Sequence, residues 1–440
     1  MTLLPQLIFA GILVIFGVFI FKRVNFIRSN IALGQSNNIT GDRAKRWKNV
    51  LLIAFGQKKM FKKPIPALLH LLIYVGFILI NIEVLEIILD GLLGAHRMFA
   101  PFFGTYYGAL ISFFELLALG VMFSCVIFLI RRNVIRLSRF KKPEMSGWPA
   151  LDGNLILIIE IVLMIAILSM NAADQILQSR GVDHYPVTGF FLVSSWMMPF
   201  FDGYDSAFLT IMERSAWWFH IVGIFGFALY VTYSKHLHIF LAFPNTYYAK
   251  LIPKGQMDHM PAITSEVKMM LGIPIEEGAV TAPDGMKFGA RDVTDLNQKN
   301  LMDAYSCTEC GRCTAECPAN ITGKKLSPRK IMMDTRDRLE SLGNSLKKGG
   351  NAEDGKFLLG DYVTKEEINA CTSCNACVEA CPILINPLDI ILQMRRYVVM
   401  EESAAPASWN SMFQNIETNF APWKFSVQDR FNWAEELKNK

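Results

Sequence analysis

Cys307-Thr-Glu-Cys310-Gly-Arg-Cys313-Thr-Ala-Glu-Cys317-Pro318 returns later in the chain as Cys371-Thr-Ser-Cys374-Asn-Ala-Cys377-Val-Glu-Ala-Cys381-Pro382. Both stretches read C-x2-C-x2-C-x3-C-P, the spacing at which three thiolates grip one face of an iron-sulfur cubane while the fourth reaches a neighbouring cluster. The pattern predicts one [4Fe-4S] cluster on Cys307, Cys310, Cys313 and Cys381, and a second on Cys371, Cys374, Cys377 and Cys317. Zinc is the alternative, but structural zinc sites use paired C-x2-C elements rather than three thiols at successive three-residue steps. Thiols kept as metal ligands imply a reducing compartment, normally the cytoplasm. Such clusters move single electrons and do not themselves transform a substrate.

The residues around the two cysteine groups predict helices. Thr364 and Glu367 form a capping-box pattern just before the second group. Ser327-Pro328 and Asn386-Pro387 each place a cap before a proline at the first helical position, starting helices over about 328–339 and 387–400. Cysteine loop plus helix is thus an internal duplication. The long separation of the copies favours an all-helical ferredoxin-type domain, residues 292–402, over the compact βαββαβ form. A Gly- and Pro-rich linker is expected at 245–291. The tail, 403–440, carries Trp409, Trp423 and Trp433 among charges and is expected to wrap a partner or this same domain.

Residues 1–244 have another character. The chain of 440 residues is 52% hydrophobic and 19% charged, with a mean hydropathy of +0.28, and the apolar excess lies before Pro244. An entirely soluble protein is excluded. Nucleic-acid binding is not expected despite the net charge of +5, because the cations flank apolar runs and form no basic helix. Five runs approach the roughly 20 residues that cross hydrocarbon: 7–21, 66–89, 107–130, 155–172 and 216–233. The first ends in Lys22 and Arg23 without a small-residue cleavage site, so it is expected to stay attached. Lys and Arg crowd the connections 22–63 and 131–142, whereas the loop after the second span has Arg97 and the long fourth connection only Arg180 and Arg214. The alternation predicts an N-terminus outside and everything after Tyr233 inside, in a bacterial cytoplasmic membrane. The expected fold is all-α: a five-helix transmembrane bundle, with an outer-face segment at 187–201, followed by a helical di-cluster domain.

Seven histidines remain to be placed, and His220 and His238 are the informative pair. Eighteen residues make five turns, so on one continuous helix both rings would share a face about 27 Å apart. Two stacked haems would suit that placement. His70, just inside the inner end of the second span, is the expected mate of His238 on an inner b-type haem, with His236 as the alternative inner ligand. A possible outer haem would pair His220 with His96. The competing reading of each is an interfacial or hydrogen-bonded histidine. Glu83, Glu86, Glu115 and Glu160 lie within spans, either on a proton path or as helix-helix hydrogen-bond partners. Cys125 reads as a small apolar filler.

The membrane half resembles the five-helix cytochrome b subunit of the nitrate reductase gamma type. The run Phe288-Gly-Ala-Arg-Asp-Val-Thr-Asp-Leu, with Asp303-Ala-Tyr-Ser-Cys-Thr-Glu-Cys-Gly-Arg-Cys and its continuation to Ser327-Pro-Arg, resembles membrane-bound iron-sulfur oxidoreductases related to heterodisulfide reductase. Together these likenesses imply one or two b haems in the membrane, two [4Fe-4S] clusters inside, and electron exchange with a menaquinone or ubiquinone pool. They also imply a soluble redox subunit, either a CCG-module protein or an electron-transfer flavoprotein, that carries the substrate chemistry. Two departures stand out. Gamma-type cytochromes have both second-helix ligands about ten residues apart, and here that position is Ile80, with Asn81 next. A CCG module would have to start after Lys440, so it is expected on a separate subunit. The competing functions are a quinol-oxidising cytochrome of a terminal reductase, and a haem-free structural anchor for the ferredoxin-like domain.

Overall fold

The computed structural model describes residues 3–36, 41–253, 255–257, 259–275, 287–351 and 354–438. Among them the chain is helical, with two isolated β-bridges and no strand. Four helices are long and apolar enough to cross a membrane: α1 (Leu3–Ala32), α2 (Pro64–Leu93), a third stretch of 100–134 containing α3 (Tyr107–Leu129), and α4 (Trp148–Ser179). A fifth apolar element is broken: α5 (Ser206–Val231) turns by 90° into Lys235–Tyr247, of which His238–Tyr247 is α6. The structure thus offers four straight candidate spans and a bent one.

The bend has an identifiable cause. Asp152 of α4 accepts the Lys235 amide at 3.1 Å and also the Tyr230 hydroxyl, while the Ser234 hydroxyl accepts the His236 amide at 2.8 Å. The backbone leaves the helix because side chains there satisfy its amides better than another turn would. The five-turn relation expected between His220 and His238 is therefore corrected: they stand on two helices, not on one face of one.

α4 is the central helix of the bundle and packs on α3 and α5, whereas α1 lies along the side. Its Phe9 sits against Trp217 at 5.5 Å between ring centroids, and most of its other side chains face outward. Beyond the apolar stretch α1 continues into the second body of the protein. There Ile27 joins a core with Leu296, Leu301, Leu339, Ile390 and Met394. That body contains α7 (Gln298–Ser306), α8 (Arg312–Ala315), α9 (Pro328–Lys347), α10 (Ala376–Ala380) and α11 (Pro387–Met400), and its core draws on α7, α9 and α11. Ser327 accepts from the Lys330 amide, Asn386 from the Asp389 amide, and Thr364 with Glu367 closes a capping box. The caps read from the sequence are formed, although α9 runs eight residues beyond the expected end, to Lys347.

The cysteine body is fastened to the bundle by polar contacts. Arg23 of α1 makes a two-pronged ion pair with Glu340 at 2.7 and 3.0 Å, and Asn30 donates to the Tyr305 hydroxyl at 2.8 Å. Gly343 of α9 faces Asn30, and a Cβ there would fall inside the van der Waals radius of its amide. Gly343→Ala is expected to push α1 and α9 apart and lower the thermal midpoint, at a cost of about 1–3 kcal/mol; an unchanged melting curve would show that the crossing is loose.

The expected linker is not wholly irregular. Pro261–Met270 is a helix, and positions 254, 258 and 276–286 lie outside the described residues, as do 439–440 of the tail. The described tail forms α12 (Ala407–Asn419) and a final helix at 432–438, with Trp423 and Trp433 exposed. Trp409 meets Arg395 of α11.

Candidate metal centres

Each cysteine loop takes the same backbone path. Glu309 (φ 54°) and Gly311 (φ 72°) are left-handed in the first loop, and Ser373 (φ 55°) and Asn375 (φ 60°) occupy the same positions in the second. Alternating hands turn successive amides inward, forming a concave surface that suits a negatively charged cluster. Gly311 is needed because the Arg329 guanidinium fills the space of a side chain, while asparagine tolerates the same conformation in the more open second loop. The Ser373 amide donates to Cys371 Sγ at 3.4 Å and the Ile385 amide to Cys381 Sγ at 3.3 Å. Such N–H···S bonds lower the electron density on sulfur and tune reduction potential.

The duplication folds so that the loops face each other, with α8 against α10. Cys313 lies within electrostatic reach of Cys307, Cys310 and Cys381, and more weakly of Cys377. Cys317 is instead a neighbour of Cys371 and Cys377, which also feel Cys374. Each group of three thus has a fourth thiol beside it from the other copy. Burial pushes the thiols of Cys307 and Cys377 up to about 12 and that of Cys381 to about 11. Positive charge at the site, rather than solvent, has to make them thiolates. Cys374 is exposed, so the second loop reaches the surface. Cys125 is buried in an apolar cluster with Ile111 and Val121.

Three histidines meet at the end of the bundle next to the cysteine body. His70 and His238 have ring centroids 6.3 Å apart, and His236 lies 5.3 Å from His238. His236 was expected on another face, but the turn at 235–237 swings it beside His238. His70 Nδ1 bonds to Gln57 Oε1 at 3.1 Å, and His238 Nδ1 to the Lys235 carbonyl at 3.2 Å. With Nδ1 occupied on both rings, Nε2 is the nitrogen left for another ligand. Lys235 joins this cluster to the first cysteine loop: its Nζ contacts Glu309 Oε2 at 2.5 Å. Burial would raise the Glu309 carboxyl, but Arg336 and Lys235 together hold it below the usual carboxylate range. Arg312, between Cys310 and Cys313, is an electrostatic neighbour of His70.

The histidines expected at the outer side are arranged otherwise. His96 Nε2 faces Asp174 Oδ1 at 3.2 Å and its Nδ1 faces Arg214 at 3.2 Å. Both nitrogens are taken, and its ring packs on His184 and Tyr185. His220 lies elsewhere, with Nδ1 on the Leu163 carbonyl at 3.0 Å. The His96–His220 pair expected for an outer haem is not assembled, because the carboxylate of Asp174 draws His96 into an ion-pair network with Arg97 (2.8 Å). Of the span carboxylates, Glu86 accepts the Phe99 amide and the Tyr107 hydroxyl, each at 2.8 Å, and Glu115 accepts the Val193 and Ser194 amides. These two pin the segments around Phe99 and Val193 onto the bundle. Glu83 reaches Arg97 at 3.5 Å, and Glu160 faces a cavity with His220.

Gln57, Lys235, Glu309 and Arg336 had no signal in the sequence: each belongs to a basic or polar stretch and acquires its role only when distant segments meet. Comparison with known proteins bears on these centres. Residues 306–385 match the family described as "4Fe-4S dicluster domain". The chain is 27% identical over 92% of its length to the "Probable iron-sulfur-binding oxidoreductase FadF" of Bacillus subtilis (strain 168), covering 57% of that protein. It is 26% identical over 89% of its length to the "EtfAB:quinone oxidoreductase" of Syntrophomonas wolfei, covering 54% of it. A shorter match, 29% identical over 32% of this chain and 36% of the relative, is to one polypeptide of the dihydromethanophenazine:CoB--CoM heterodisulfide reductase of Methanosarcina mazei. The chain spans a little over half the length of the first two relatives. No solved structure matches it. The protein is thus related to iron-sulfur oxidoreductases, heterodisulfide reductase among them, and carries a 4Fe-4S dicluster domain at its C-terminal side.

Proposed function

We propose that this chain is the membrane subunit of a respiratory electron-transfer complex, linking a menaquinone or ubiquinone pool to a soluble redox partner through an inner b-type haem and two [4Fe-4S] clusters. The observation that carries the reading is the unbroken polar contact from the His70–His238 pair through Lys235 and Glu309 to the first cysteine loop. The rings of His70 and His238 stand 6.3 Å apart with both Nδ1 atoms taken by hydrogen bonds, so their Nε2 atoms would be the nitrogens to hold a haem iron. For the clusters, Cys307, Cys310, Cys313 and Cys381 would hold one, and Cys371, Cys374, Cys377 and Cys317 the other. Among the described residues no three metal-binding side chains converge on a single ion. The C-x2-C-x2-C-x3-C-P spacing of both loops is what favours iron and sulfide over zinc.

When bound, these groups supply one-electron redox chemistry. The chain's own residues orient the ligand nitrogens, donate amides to sulfur and neutralise buried charge between the centres. The exposed Cys374 loop is the exit toward a partner, for which an electron-transfer flavoprotein or a CCG-type subunit is the chemical match. The basic connections support an inner placement of the cysteine body: Lys63 pairs with Glu316 at 3.2 Å, and Arg329 donates to the Arg139 carbonyl at 2.6 Å. That placement is in keeping with a bacterial cytoplasmic membrane and an N-terminus outside.

Dithionite-reduced purified protein is expected to show b-type haem bands, with about one haem per chain. His70→Ala should lose those bands and keep its cluster iron; iron-sulfur signals with no haem absorption in the wild type would leave only a membrane anchor.

A further inference from the structure

Between α2, α3, α4 and α5, at the middle of the bundle, lies a partly open cavity. Its walls are apolar, from Ile73, Ile80 and Val84 to Leu163 and Ile224, and its polar groups are few: His220, Glu160 and Asn81. His220 is almost wholly buried, and its Nε2 has no hydrogen-bond partner. Its Nδ1 faces the Leu163 carbonyl, which can only accept, so the proton sits on Nδ1 and Nε2 presents a lone pair. Among the described residues no second imidazole lines the cavity: His96 is committed to Asp174 and Arg214, and the wall position on α2 is Ile80. The donor set is one imidazole, one carboxyl and one amide. It does not fit a group held by two histidines. It fits a molecule with exchangeable O–H groups.

The mouth points to the same class. Phe77 and Asn81 line the cavity and are exposed on the outer surface of α2, which in a membrane faces hydrocarbon. A ligand entering there comes from the lipid phase. At the inner end Phe227 lines the cavity and packs on His236 at 5.7 Å between ring centroids.

We infer that this cavity receives the ring of an isoprenoid quinol or quinone, with His220 Nε2 and the Glu160 carboxylate as its two proton acceptors. Resting on the quinone-linked reading above, this gives that reading its site. In quinol oxidation both ring O–H bonds break, one proton passing to Nε2 and the other to Glu160. The two electrons would leave singly to the one-electron centres that His70, His238 and the cysteine loops would hold, and the ring becomes the quinone. Reduction of quinone runs the same steps in reverse, so the site serves either direction of flow.

The test is titration of the full-length, metal-loaded protein in detergent with heptyl-hydroxyquinoline N-oxide, a fluorescent quinol analogue, alongside haem and iron per chain. The wild type is expected to bind one equivalent. His220→Leu should weaken binding tenfold or more and Glu160→Gln severalfold, with haem and iron unchanged. Ile224→Phe, which fills the cavity and leaves both polar groups in place, should weaken it as His220→Leu does, and so covers the case of a His220 variant that does not fold. Unchanged affinity in both the His220 and Ile224 variants would place the quinol elsewhere and overturn this inference while sparing the wider reading. Loss of one haem in His220→Leu would overturn it in favour of a haem site. A wild type that holds its haem and clusters but neither binds the analogue nor exchanges electrons with a quinol would end both.

Discussion

Cys317→Ala is expected to leave about four of the eight irons of two cubanes, and the centre it removes is the one built on Cys371, Cys374 and Cys377, not the loop next to it in sequence. Cys317 closes the first motif but lies at the start of the short helix Pro318–Ile321, where its electrostatic neighbours are Cys371 and Cys377. Cys381 stands in the converse position, beside Cys310 and Cys313. The paramagnetic spectrum of reduced Cys317→Ala should therefore match that of Cys374→Ala, and Cys381→Ala should match Cys310→Ala. Each pair shares a surviving cluster. If Cys317→Ala matches Cys310→Ala instead, each motif holds its own cluster and the crossed pairing is wrong.

The largest loss of stability is expected from Arg338→Met. Arg338 is fully buried on α9 and grips Asp292 with two nitrogens, at 2.9 and 2.6 Å, and Asp354 with a third at 2.6 Å. Both carboxylates hold its guanidinium firmly protonated. Asp292 also accepts the Leu358 amide and, with Asp295, closes a capping box at 292–295. One cation thus ties three separate segments together. Methionine keeps much of the volume but strands the Asp292 carboxylate in the interior, which costs about 3–5 kcal/mol. Bleaching of the cluster absorbance on heating reports the effect: the midpoint should fall by several degrees or more, and Asp292→Asn in the same background should recover part of it. A midpoint within a degree of wild type would mean that water reaches the pair.

Lys235 shows why some of this was illegible in the sequence. Read along the chain it is one of the cations expected at the inner end of a span. In the folded protein its amide is held by Asp152, its carbonyl accepts from His238, and its ammonium contacts Glu309. Asp152 lies 83 residues before it and Glu309 74 after it, and no local pattern predicts such meetings. His96 teaches the reverse lesson. Its position at the outer end of the second span suggested a ligand for His220, yet a buried carboxylate on α4 holds it more strongly than an empty coordination position could.

What the sequence determined by itself is what depends on neighbours along the chain: thiol spacing, the caps at Ser327, Thr364 and Asn386, the apolar runs and the alternation of cations between them. A cap or a cysteine loop needs only a few residues at set intervals, and hydropathy adds up locally. The tertiary structure decided the bend after Val231, the gathering of His70 with His236 and His238, the separation of His96 from His220, and the cavity those choices left behind. All of these depend on which buried polar group finds which partner. Inside a bundle an unpaired charge or amide costs several kcal/mol, more than a turn of regular helix recovers, so long-range pairing overrides local periodicity.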